Sequence, residues 1–189
     1  MLIAIVALVV VACVPLVGGR YAALGQLRIR GTWLVYGALG IQIAIISVFD
    51  IQSETMSRSL HLLTYMMIGV CLVLNRTVRL VWIVAVGWLC NFTAIVANAG
   101  VMPTPTSDAQ TVERTATSTT FENSVPMTDA RLAFLGDIFT TPRGIPMANT
   151  LSVGDLLLLA GAAFVIFGAS RAPISEPAPT IRPIHTFRH

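Results

Sequence analysis

The sequence predicts an all-α polytopic membrane protein: a bundle of five transmembrane helices with one long extracytoplasmic loop that carries a short amphipathic helix. Three observations predict it. Hydrophobic residues make up 55% of the 189 and charged residues only 11%, and the mean hydropathy of +0.78 exceeds that of soluble domains. Five apolar runs approach the roughly 20 residues that a helix needs to cross a bilayer core about 30 Å thick. The arginines, finally, gather in alternate connections between those runs. All 12 basic residues are Arg, and a net charge of +3 is too small for a nucleic-acid footprint.

The predicted spans cover residues 1–17, 32–49, 58–74, 80–97 and 152–169. An 18-residue helix rises about 27 Å at ~1.5 Å per residue, enough to span with little tilt. The first run is read as a retained helix and not as a signal peptide, because no positive residue precedes it and the chain around Gly18-Gly19 is a poor processing site. Arg20, Arg28 and Arg30 follow that run, and Arg76 and Arg79 follow the third, with no acid among them. Asp50 and Glu54, by contrast, sit between the second and third. The positive-inside rule then places the N-terminus outside, the 98–151 loop outside and the C-terminus in the cytoplasm of a cell-membrane protein. Trp33 and Trp82 open their spans at the cytoplasmic interface, where indoles favour the headgroup layer.

Within the outer loop, residues 104–120 are dominated by Thr, Ser and Pro and have too little apolar area to order themselves. From Thr128-Asp129, which offers an N-cap, Leu132, Leu135 and Phe139 recur at helical spacing, predicting the amphipathic helix. Pro142, Gly144 and Pro146 lead back to the last span. The tail, residues 171–189, carries four prolines and is expected to be a disordered cytoplasmic segment. Cys13, Cys71 and Cys90 lie in separate spans and read as apolar filler.

Orientation gives each intramembrane polar group a depth, and they gather in the outer half. Gln42 lies mid-span; His61, Thr64 and Tyr65 share one face of the third helix; Asn91 and Asn98 share one face of the fourth. Asp155 opens the fifth, and Asp137 comes late in the predicted amphipathic helix. Such groups are costly against lipid and should face the bundle interior. Two roles stay open for Gln42, His61, Asn91, Asn98, Asp137 and Asp155: hydrogen bonds that fix helix packing, or a pocket for a ligand or partner. Ser152-Val153-Gly154-Asp155 also matches a capping box, and Asn98-Ala99-Gly100 before Pro103 matches a helix C-terminus.

Three ordered motifs stand out: Asn98-x-Gly100-x-Met102-Pro103, Leu135-Gly136-Asp137 with Pro142 beyond, and Ser152-x-Gly154-Asp155-Leu156-Leu157. With the Gly18-Gly19-Arg20 turn and the Leu27-Arg28-Ile29-Arg30-Gly31 entry to the second helix, they resemble a family of small five-span bacterial integral membrane proteins catalogued only as a domain of unknown function. The resemblance covers residues 1–169. It implies a bacterial plasma-membrane protein without an established activity, in which Gly commonly occupies the position of Ala99.

No H-E-x-x-H, G-x-S-x-G, phosphate loop or C-x-x-C occurs, so protease, hydrolase, nucleotide and dithiol chemistry have no positive support. No catalytic residue, metal or cofactor is expected. The composition, with small-residue faces such as Gly37 with Gly40 and Gly161-Ala162-Ala163, points to a non-enzymatic subunit or scaffold of a membrane complex. Its partners would be the lipid bilayer and other membrane proteins or further copies of the chain, not nucleic acid. The alternative is a small carrier or lipid-handling protein that uses the outer polar pocket.

Overall fold

A computed structural model describes residues 2–45, 53–104, 124–140 and 150–173. Among them, six α-helices dominate: α1 (Leu2–Ala12), α2 (Tyr21–Leu24), α3 (Thr32–Ile43), α4 (Glu54–Leu74), α5 (Val81–Ala97) and α6 (Val153–Ser170). Two of these, α4 with a mean hydropathy of 1.5 and α6 with 2.0, are long and apolar enough to cross a membrane. The helices α3 and α5 are shorter apolar helices of 12 and 17 residues.

The differences from the five predicted spans have local causes. Pro15 cannot continue the hydrogen-bond ladder, so α1 ends at Ala12 and the chain turns through a 3-10 segment, Pro15–Val17, before Gly18 adopts a left-handed φ of 73°. The end of the predicted second span falls outside the described residues. The helix α4 starts earlier than expected because Ser53 caps it, accepting a hydrogen bond from the Met56 amide, while Glu54 suits the positive end of the helix dipole.

The helices lie side by side in the order α3, α4, α5, α6, α1. Contact between α5 and α6 is the closest, because three glycines remove the side chains that would hold the backbones apart. A Cβ on Gly87 would meet the Gly154 carbonyl oxygen at 2.7 Å, and one on Gly161 would meet the Val84 amide nitrogen at 2.6 Å. Where α1 ends, Gly19 packs on Ser170 and the Arg20 amide donates to the Ser170 carbonyl at 2.9 Å. That contact sets the end of α1 beside the end of α6. Many apolar side chains of the helices point outward: Leu8, Trp33, Tyr36, Val73 and Trp82 are each more than 60% exposed.

The segment between α5 and α6 corrects the all-α expectation. Strand β1 (Met102–Thr104) pairs in parallel with β2 (Ser124–Pro126), and β3 (Phe139–Thr140) pairs antiparallel with β4 (Thr150–Leu151). The predicted amphipathic helix is absent from its place. Residues 128–138 instead form turns around one short 3-10 segment, Ala133–Leu135, entered through Leu132 at a left-handed φ of 53°. A buried cluster of Ala94, Ile95 and Met102, with Leu62, Tyr65 and Leu135 packed on it, joins this segment to α4 and α5. All of the Thr-rich stretch 104–120 beyond Thr104, Pro142, Gly144 and Pro146, and the tail from residue 174 lie outside the described residues.

Candidate functional site

The junction of α5 with the start of α6 holds a closed ring of hydrogen bonds. Ser152 and Asp155 form the expected capping box: the Asp155 amide donates to Ser152 Oγ at 2.9 Å, and the Ser152 amide donates to Asp155 Oδ2 at 3.1 Å. Asn91 enters it from α5. Its Nδ2 donates to Asp155 Oδ1 at 2.8 Å while its Oδ1 accepts from Ser152 Oγ at 2.8 Å. An amide 2% exposed is thereby satisfied on both sides by a helix N-terminus. Gly154 makes room for it, since a side chain at 154 would collide with the Asn91 amide.

Asp137 is 6% exposed and ties together the segment between α5 and α6. Its amide donates to the Pro103 carbonyl at 3.0 Å and its Oδ2 accepts from Ser124 Oγ at 2.6 Å, tying it to β1 and β2. Burial pushes its carboxyl up to about 6; the Ser124 hydrogen bond works against that rise, and the nearby charge of Asp155 adds to it. No α-helix runs through Asp137, so its carboxylate does not stand at the late end of a helix as the sequence predicts.

Asn98 performs a different task. As the C-cap of α5 it donates from Nδ2 to the Ala94 carbonyl at 2.7 Å and to the Arg131 carbonyl at 2.8 Å, while its Oδ1 accepts from the Arg131 amide at 2.9 Å. Both backbone groups of Arg131 are thus held against the end of α5, and the next residue, Leu132, turns the chain through a left-handed φ of 53° that no α-helix contains.

Gln42 and His61 meet elsewhere, between α3 and α4. The Gln42 amide lies 3.2 Å from His61 Nδ1, and Thr64 Oγ1 donates to Gln42 Oε1 at 3.2 Å and to the His61 carbonyl at 2.6 Å. Beyond them an aromatic layer runs toward α5: His61 edge-on to Tyr65, Tyr65 stacked with Phe92, and Phe92 stacked with Trp88 at 5.0 Å. Trp88 lies over Gly69 and donates from Nε1 to the Tyr65 carbonyl at 3.0 Å.

The six polar residues singled out in the sequence therefore divide among three contacts. Asn91 and Asp155 join directly, with Asp137 near enough to feel the charge; Asn98 holds backbone; Gln42 and His61 bridge another helix pair. An amide is what positions His61, while the two acids are engaged by Ser152, Asn91 and Ser124. Among the described residues, no group of three or more His, Cys, Asp and Glu side chains could hold a metal ion. The chemistry on view is hydrogen-bond satisfaction across helix contacts.

Two residues escaped the sequence reading. Ser124 carried no signal. Asn75 caps α4 by the same geometry that Asn98 uses. Its Nδ2 donates to the Cys71 carbonyl at 2.7 Å and to the Arg30 carbonyl at 2.8 Å, and its Oδ1 accepts from the Arg30 amide at 2.8 Å. Its position at the end of an apolar run was the available signal.

A family model, described as a family of unknown function (DUF5317), matches residues 26–167. The chain belongs to the DUF5317 family. The DUF5317 match contains α3 to α5, all but the last turn of α6, all three polar contacts and both asparagine clasps. It bears out, over residues 26–167, the domain of unknown function that the ordered motifs resemble, and carries no activity with it. No curated protein and no solved structure matches the chain.

Proposed function

We propose that this DUF5317 member is a five-span protein of the bacterial plasma membrane, with its N-terminus outside and its C-terminus in the cytoplasm. It serves as a non-enzymatic subunit or scaffold of a membrane complex. The observation that carries this reading is the outward face of the helices. Only 17% of the apolar window of α6 is buried within the chain, where the core helix of a soluble protein would be mostly covered. Lipid or partner helices are the environments in which such a surface is stable. The short helices α3 and α5 share its apolar character.

The polar residues support the same reading. Asn91, Asn98, Gln42 and His61 are engaged in contacts between helices or with the outer segment, as in a protein whose buried polarity specifies packing. The carrier alternative needs these side chains to line one shared cavity, and their division among three contacts takes away its motive.

Extraction and size test the proposal. The protein is expected to stay with membranes in alkaline carbonate and to leave them only with detergent. At its native level in mild detergent it should migrate well above the mass of one chain with its micelle. Release by carbonate would overturn the membrane reading, and a single chain alone in every mild detergent would overturn the subunit reading. A reporter fused after His189 should be active only in the cytoplasm.

A further inference from the structure

Charge is sorted along the axis of the bundle. Among the described residues, all four acids, Glu54, Asp129, Asp137 and Asp155, belong to the end where α4 and α6 begin and α5 finishes. Arg20, Arg28, Arg30, Arg76, Arg79 and Arg171 belong to the other. Two of those six are occupied: Arg20 donates to the Ala172 carbonyl and Arg171 donates twice to the Val17 carbonyl. The side chains of Arg28, Arg30, Arg76 and Arg79 are exposed and make no hydrogen bond or ion pair with a described residue. They sit on two turns, 25–31 and 75–80, that are far apart in sequence. The Asn75 clasp on the Arg30 backbone joins the turns, and Gly31 packs on Leu74 beside it. Trp33 and Trp82, 69% and 62% exposed, begin the helices that leave this surface.

We propose that these two clasped turns form a binding surface for the phosphate headgroup of an anionic phospholipid, with Arg28, Arg30, Arg76 and Arg79 as its donors and Trp33 and Trp82 at its border. The inference rests on the membrane reading above and adds a ligand to the opposite end from the acidic groups. Three features point to phosphate. The four charges have no counter-ion within the described chain. All are guanidinium groups, whose planar forks match phosphate oxygens in pairs, where a lysine would serve only as a point charge. Exposed indoles at the same level place the surface in the headgroup layer, where basic side chains are attracted to anionic lipid.

The test is quenching of tryptophan fluorescence by brominated lipids in vesicles that hold the full chain. Brominated phosphatidylcholine should quench, which reports insertion alone. Brominated phosphatidylglycerol should compete for the tryptophan-bordered surface with a preference of roughly five- to tenfold at low salt. In the Arg30→Gln/Arg76→Gln double variant, which leaves four arginines to preserve orientation, the preference should fall at least about threefold. Arg131→Gln, at the other end, should leave it unchanged. Equal quenching by the two lipids, or a preference untouched by the double variant, overturns the headgroup surface. Loss of the preference on adding inorganic phosphate overturns the lipid as its ligand. Absence of quenching even by phosphatidylcholine overturns the membrane reading itself.

Discussion

The carboxamide of Asn91 occupies the space that a side chain at Gly154 would need, so the tightest helix contact and the capping ring are one structure. Gly154→Ala would push its methyl into Asn91 and against the Gly87 carbonyl, both held by α5. Overpacking of this kind costs about 2 kcal/mol or more. The expected outcome is a clear drop in the thermal midpoint in detergent. Gly168→Ala, where nothing lies within 4 Å of the added methyl, should change stability by less than about 0.5 kcal/mol. Equal effects of the two substitutions would disprove the close crossing.

Asn75 and Asn98 make the same clasp at opposite ends of the bundle, one on Arg30 and the other on Arg131. Replacing either by Ala leaves a carbonyl and an amide of the distant turn without partners, at a cost of about 1 to 3 kcal/mol. Because the two sites share no partner, the losses in Asn75→Ala/Asn98→Ala should add to within about 0.5 kcal/mol. Unfolding midpoints of the two single variants and the double variant check this. Strong coupling between them would show that the ends are not independent.

Ala99 follows the Asn98 cap with a φ of 55°, a left-handed conformation that strains any side chain, and Gly100 continues at 93°. Ala99→Gly should therefore stabilise the protein by about 1 kcal/mol. Gly100→Ala should do the reverse, since its φ is unfavourable and its Cβ would stand 3.0 Å from that of Arg58. Denaturation of both variants distinguishes a strained turn from a relaxed one, which would respond to neither.

Asp137 makes stability depend on pH. Its carboxyl rises from 3.8 in the unfolded chain to about 6 in the folded one, so between those values the folded state holds a proton that the unfolded state has lost. Its contribution is fully present below about 4 and disappears as the pH climbs through about 6. The protein should have a higher thermal midpoint at pH 5 than at pH 8. Asp137→Asn, which mimics the protonated group and can still accept from Ser124, should flatten that difference. A wild type that is more stable at pH 8, or an unchanged slope in the variant, would contradict the buried carboxyl.

Much of the site was legible where its bonds are short in sequence. The Ser152 and Asp155 capping box spans four residues, and the helix end at Asn98 lies beside its own glycine, so both could be read directly. The partners of Asn91, Asn98 and Asn75 lie 64, 33 and 45 residues away, and no local pattern announces them. The misread helix shows the consequence. Leu132, Leu135 and Phe139 have the right spacing, yet Asn98 holds the Arg131 backbone against the end of α5 and the chain turns left-handed at Leu132.

Composition and order along the chain were enough to give the apolar segments and the sorting of arginine from acid, because hydropathy and charge accumulate residue by residue. Which helices touch, where glycine admits an opposing backbone, and how the segment between α5 and α6 turns were decided by the tertiary structure. A buried amide is indifferent to how far along the chain its partner lies, and only packing brings that partner within 3 Å.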